Sequence, residues 1–189
     1  MRHWRRATRA AALAATSGAL WAVWAVAGMA QRPGPAADGV PLTDVEAAFL
    51  LNFTRFVEWP AAAFEDGRSP LTVCVMGNEA VARALGQLAE GESAGGRRIA
   101  VRKIDRAPGP KACQVLFIGG ADEDISGILS GAGFGVLTVS DRPGFLKEGG
   151  IIVFAIEDRH VRFDINRRAA ASASLTISSR LLSVARSVR

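Results

Sequence analysis

The sequence predicts a single three-layer α/β domain around a mostly parallel sheet, and three observations carry that prediction. Apolar runs of strand length, such as "LTVCVMG" and "CQVLFIGG", alternate with helical segments between residues 71 and 139. A capping-box pattern opens an amphipathic helix just before them, with Thr43 at the N-cap and Glu46 three residues on. Finally, "GGIIVFAIEDRHVRFDIN" holds two strand-like runs separated by "EDRH", the pattern of a C-terminal antiparallel hairpin.

In order along the chain, the N-terminus comes first and stands apart. Arg2, Arg5, Arg6 and Arg9 precede an uncharged apolar run from Ala10 to Ala30, the layout of a secretory signal peptide. Cleavage is expected after Ala30. The run is also just long enough to span a bilayer, so the alternative is an uncleaved anchor. Residues 31–41, "QRPGPAADGVP", are rich in Pro, Gly and Ala and read as a flexible leader, which places the folded domain at 42–189.

The first helix carries "FLLNFTRFVEWP". Phe49, Phe53, Phe56 and Val57 fall on one face, and Pro60 is expected to end the helix because it lacks an amide hydrogen. Trp59 then sits at the exit, where an indole can be half-buried and still offer its N–H. Next come a strand at 71–76, a helix at 79–88 and a strand at 99–104. A strand at 115–118, a short helix at 124–129 and a strand at 136–139 follow. The hairpin runs pair 151–156 with 161–165. A helix through "RRAAASA" and the amphipathic "ISSRLLSVARSV" close the chain.

Charge points away from nucleic acid. The chain is +5, but removing the four leader arginines leaves +1, with the remaining bases interspersed among acids. After cleavage no segment is left to insert in a membrane.

The two cysteines, Cys74 and Cys113, both lie in the exported part, each inside a predicted strand, "LTVCVMG" and "CQVLFIGG", and the two strands are candidates for neighbours. They are either bridged or two buried thiols.

Catalytic signals are sparse. After the leader there is one histidine, His160, and a triad would have to recruit Ser140 and Asp158. His160 reads instead as an exposed turn residue. Two cysteines and one histidine lack the close pairs of a zinc site, and Asp122, Glu123 and Asp124 read as acids favoured at a helix start. "GAGFG" precedes a strand, whereas a dinucleotide fingerprint must follow one. No enzyme activity, metal or cofactor is therefore expected. A binding surface is, with Trp, Phe and Arg supplying its energy.

These stretches resemble the YfiR family of exported regulators: "AAFLLNFTRFVEWP", "LTVCVMG", "CQVLFIG", "VLTVSDRPGF" followed by "GGIIVF", and "RFDINRRAAASASLTISSRLLSVA". The resemblance implies a small periplasmic α/β protein that is not an enzyme. Such proteins repress an inner-membrane diguanylate cyclase by engaging its periplasmic sensor region, often as homodimers, and so lower cyclic di-GMP and biofilm formation. It also favours a bridge between Cys74 and Cys113. Some relatives carry a second cysteine pair, which this chain lacks.

On that footing Arg55, Glu58, Trp59, Asp141, Arg142, Phe145 and Arg162 are the candidate partner-binding residues. The alternative is a periplasmic small-molecule-binding module, with a ligand near Asp141, Arg142 and Arg162, that reports to another membrane sensor.

Overall fold

The computed structural model describes residues 40–109, 111–120 and 124–189. The expected signal sequence, the leader up to residue 39, and Asp122 and Glu123 lie outside them. In chain order the elements are α1 (Leu42–Phe56), β1 (Val57–Glu58), a 3-10 turn (Ala61–Ala63), β2 (Leu71–Met76), α2 (Glu79–Leu88), β3 (Ser93–Ala94), β4 (Arg97–Lys103) and β5 (Val115–Ile118). They continue with α3 (Ile125–Ala132), β6 (Leu137–Ser140), β7 (Ile152–Glu157), β8 (His160–Ile165), α4 (Arg167–Ser172), β9 (Thr176–Ile177), α5 (Ser179–Val184) and β10 (Ser187–Val188).

The main sheet has the order β10-β8-β7-β6-β5-β2-β4-β3. Its centre, from β4 through β2, β5 and β6 to β7, is parallel throughout. The chain enters at β2, steps outward to β4, then returns past β2 to β5, β6 and β7, the arrangement of a doubly wound sheet. All six residues of β2 and all four of β5 and β6 are buried, as expected for parallel strands covered on both faces.

The alternation of side chains along the strands builds two apolar layers. Val73, Val75, Val115, Phe117 and Val139 face α1, α2 and α5. Cys74, Met76, Leu116 and Ile118 face α3 and the loop between β6 and β7. Phe53 on α1 is fully buried and stands edge-on to Phe163 of β8, with ring centroids 5.2 Å apart. Burying such a ring stabilises the fold by about 1.5–3 kcal/mol, which is why the aromatic face of α1 docks on the sheet.

The structure differs from expectation at both ends of α1. The helix begins at Leu42 with Pro41 before it, and the Pro41 carbonyl accepts from the amides of Asp44 at 3.0 Å and Val45 at 3.2 Å. Thr43 therefore lies inside the helix and caps nothing. Glu46, freed from a capping box, points to the core. The far end stops at Phe56, four residues before Pro60. There Val57 turns extended and pairs antiparallel with Ile177, so β1 and β9 form a separate two-stranded sheet. Local pairing, and not the proline, ends the helix.

The hairpin joins β7 and β8 through a two-residue turn at Asp158 and Arg159, both at positive φ, which matches the twist of the flanking strands. Beyond β8, Asn166 caps α4 by accepting from the amide of Ala169 at 2.9 Å. Among the described residues no helix is long and apolar enough to cross a membrane.

Candidate binding site

Glu46 occupies the core-facing stripe of α1, one turn before the fully buried Leu50, which is why its carboxyl is carried inward. Glu46 is 5% exposed, and among the described residues its carboxyl makes no hydrogen bond or ion pair. Burial, aided by the charge of Asp141, pushes its pKa up to about 7. Asp141 follows β6 and is half-buried. Burial raises its pKa as well, against a backbone hydrogen bond and the charge of Arg142.

The loop that carries Asp141 is held from below. Ser140 donates to the Ile118 carbonyl at 2.6 Å and accepts from the Arg142 amide at 3.1 Å. Phe145, 1% exposed, lies with its ring across Gly150, where any β-carbon would collide with it. That contact explains Gly150 of the "GG" pair, while Gly149 sits in open space at positive φ. Phe145 was expected on a binding surface, and the structure corrects this: its ring belongs to the core.

Glu46 and Asp141 open into one cavity of about 500 Å³. Its apolar wall includes Leu146, Val153 and Ile156, and its charged rim Lys147, Asp164, Arg186 and Arg189. Arg186 is already committed. It donates Nε to Asp164 Oδ1 at 2.8 Å, Nη2 to Asp164 Oδ2 at 2.5 Å and Nη1 to Glu157 Oε1 at 2.6 Å. This two-pronged grip holds the Asp164 carboxyl below its usual range.

The other candidates fall elsewhere. Arg55, Glu58 and Trp59 share a depression of about 390 Å³ at the far end of α1, about 14 Å along its axis from Glu46. Arg55 pairs with Glu92 at 2.6 Å, and both side chains are over 40% exposed. Trp59 is half-buried, and its Nε1 donates to the Gln114 carbonyl at 3.0 Å. Arg162 is exposed on β8 and lines a third hollow with Leu42, Phe49 and His160. The structure thus divides the seven residues among separate places. Asp141 and Arg162 line different cavities.

The catalytic alternative does not assemble. His160 is exposed at the hairpin turn, its Nδ1 2.8 Å from the Asp158 carbonyl. Ser140 is fully buried and pairs in register with Val153, four residues along β7 from the partner of His160, about 13 Å away. Asp124 caps α3 through the Gly127 amide at 3.1 Å. Among the described residues no group of three His, Cys, Asp or Glu side chains could hold a metal ion.

Cys74 of β2 and Cys113, just before β5, are joined in a disulfide with Cα atoms 5.8 Å apart. It forms part of the floor of a cleft beside Arg102 and Arg106.

A sequence model described as YfiR/HmsC-like matches residues 43–186. No curated protein matches the chain. Among solved structures, a conserved domain protein from Vibrio cholerae O1 biovar El Tor is similar at 14% identity and a TM-score of 0.45. The match covers 63% of this chain and 55% of that one, so the chain spans about half its length; the likeness is too distant to bear on function.

Proposed function

The chain belongs to the YfiR/HmsC-like family, and we propose that it is an exported periplasmic regulator that works by binding. In this reading it engages the periplasmic sensor region of an inner-membrane diguanylate cyclase, as a homodimer, and lowers cyclic di-GMP. The observation that carries the reading is the family match, which extends over residues 43–186 and so takes in every strand of the main sheet except β10. The layout of residues 1–30, arginines up to Arg9 and then an uncharged apolar run, supports export.

The partner-facing surface proposed here centres on Arg55, Glu58 and Trp59. Arg55 and Glu58 are exposed, and the half-buried indole gives the depression between them a rigid apolar floor. Asp141, Arg142 and Arg162 would lie outside that contact.

The test is cellular cyclic di-GMP in a strain deleted for this gene, in its parent, and in a deletion strain complemented with Arg55→Ala/Glu58→Ala. A rise on deletion that the double variant fails to reverse supports repression through this surface. No change on deletion overturns the cyclase reading. A Cys74→Ser strain, run alongside, reads whether the disulfide is needed for repression.

A further inference from the structure

The geometry points to a ligand site that the cyclase reading does not use: the cavity between Glu46 and Asp141 binds a small organic ammonium ion, its nitrogen between the two carboxylates and its carbon body against Leu146, Val153 and Ile156. Glu46 is nearly enclosed, its carboxyl has no partner among the described residues, and what exposure it keeps opens into the cavity. Here the carboxyl faces a cavity of about 500 Å³, which is large enough for a molecule of several heavy atoms.

The chemistry of the walls selects the class. Of the charges around the cavity, Asp164 is held by Arg186, and Arg186 also by Glu157. Among the described residues that leaves Glu46 and Asp141 as the acceptors without a salt bridge, with Lys147 and Arg189 on the rim as the cations a ligand's ammonium must keep away from. A hard divalent ion wants six or more oxygens, and no suitable cluster of three ligating side chains exists among the described residues. An alkylammonium ion needs only about three acceptors and gains from the apolar wall.

The site is linked to pH through Glu46. The charged groups around it are Asp141, Arg142 and Lys147 from the loop after β6, Asp164 from β8, and Arg186 and Arg189 from the C-terminal segment. A cation binds the ionised form, so below pH 7 each event must first release a proton from Glu46. Affinity should therefore be about 30-fold weaker at about pH 5.5 than at about pH 8.

The experiment is calorimetric titration of the purified protein with n-butylammonium chloride at the two pH values, with sodium butyrate and n-butanol as controls. The expected result is saturable binding of the ammonium alone and the stated pH dependence. Glu46→Gln should weaken binding at the higher pH tenfold or more, and Asp141→Asn, kept as a second variant against misfolding, should weaken it too. Glu90→Gln, exposed beyond α2, should change nothing. Three results would overturn the site: no saturable binding at about pH 8, equal binding of butyrate or butanol, or undiminished affinity in a folded Glu46→Gln protein. A cyclase that proves not to be the partner would leave all of these readouts intact.

Discussion

Trp59 donates its indole N–H to the backbone carbonyl of Gln114, and the side chain of Gln114 is itself fully engaged. Its Oε1 accepts from the Thr72 amide at 2.9 Å and its Nε2 donates to the Ala63 carbonyl at 2.8 Å. One buried amide thus fastens the segment after α1 to the start of β2 and β5. Gln114→Leu keeps the volume but leaves the Thr72 amide and the Ala63 carbonyl without those partners. The expected cost is about 2–4 kcal/mol, read as a lower urea midpoint with an unchanged slope. Trp59→Phe loses a single hydrogen bond and should cost about 1 kcal/mol beyond the change in packing.

Glu46 makes stability fall as pH rises. Its folded pKa of about 7 lies above the value of 4.5 for an unburied glutamate, so the folded state holds the proton more tightly. That contribution is complete below pH 4.5, declines from there, and is gone above about pH 7. Glu46→Gln removes the penalty of charging the group. The variant should gain on the parent across this window, by at most about 3 kcal/mol at pH 8. Melting temperatures of both proteins from pH 4 to 8 check the sign; parallel curves would contradict it.

Gly150 lies beneath the ring of Phe145. Gly150→Ala should cost about 2–3 kcal/mol, because the ring must leave its rotamer or the loop must move. The decisive comparison is with Phe145→Leu and with both changes together. If the ring is the obstacle, the double variant is more stable than the sum of the single losses predicts, by 1 kcal/mol or more.

Arg186→Met strips Asp164, 3% exposed, of its two-pronged partner. Fully buried pairs cost about 3–5 kcal/mol when broken. The guanidinium side chain here is 36% exposed, and solvent screening brings the expectation to about 2 kcal/mol at neutral pH. The Asp164 pKa is lowered in the folded protein, so this stability is present above pH 3.8 and lost as pH falls through the lowered value. Denaturation of parent and variant should differ at pH 7 and converge in strong acid.

The parallel sheet and its hairpin were legible because runs such as "LTVCVMG" and "IIVFAI" are long enough for period and composition to speak. The four two-residue strands β1, β3, β9 and β10 were not, since two residues carry no period; β1, β9 and β10 exist because a distant segment pairs with them, and β3 because Gly95 and Gly96 turn the chain back onto β4. The place of Glu46 was hidden for a related reason. Its spacing from Thr43 fits a capping box, but Pro41 starts the helix two residues earlier and turns Glu46 inward. Its position four residues before Leu50, on the apolar stripe, was the signal available. The segment "SDRPGF" could be read as a turn, but the ring of Phe145 over Gly150 is a contact between loop ends that spacing alone does not reveal. The pairing of Asp164 with Arg186 joins residues 22 apart with no shared motif.

The small sheet of β1 and β9 also sets an order of assembly. Val57 and Ile177 are partners in register although about 120 positions separate them, and the aromatic face of α1 rests on β7 and β8. A chain made from its N-terminus produces α1 at the outset and its resting place near the end. The helix has α2 beside it early, but the rings that Phe49 and Phe53 pack on arrive only with β7 and β8. Until then part of that greasy face is what a chaperone would find waiting.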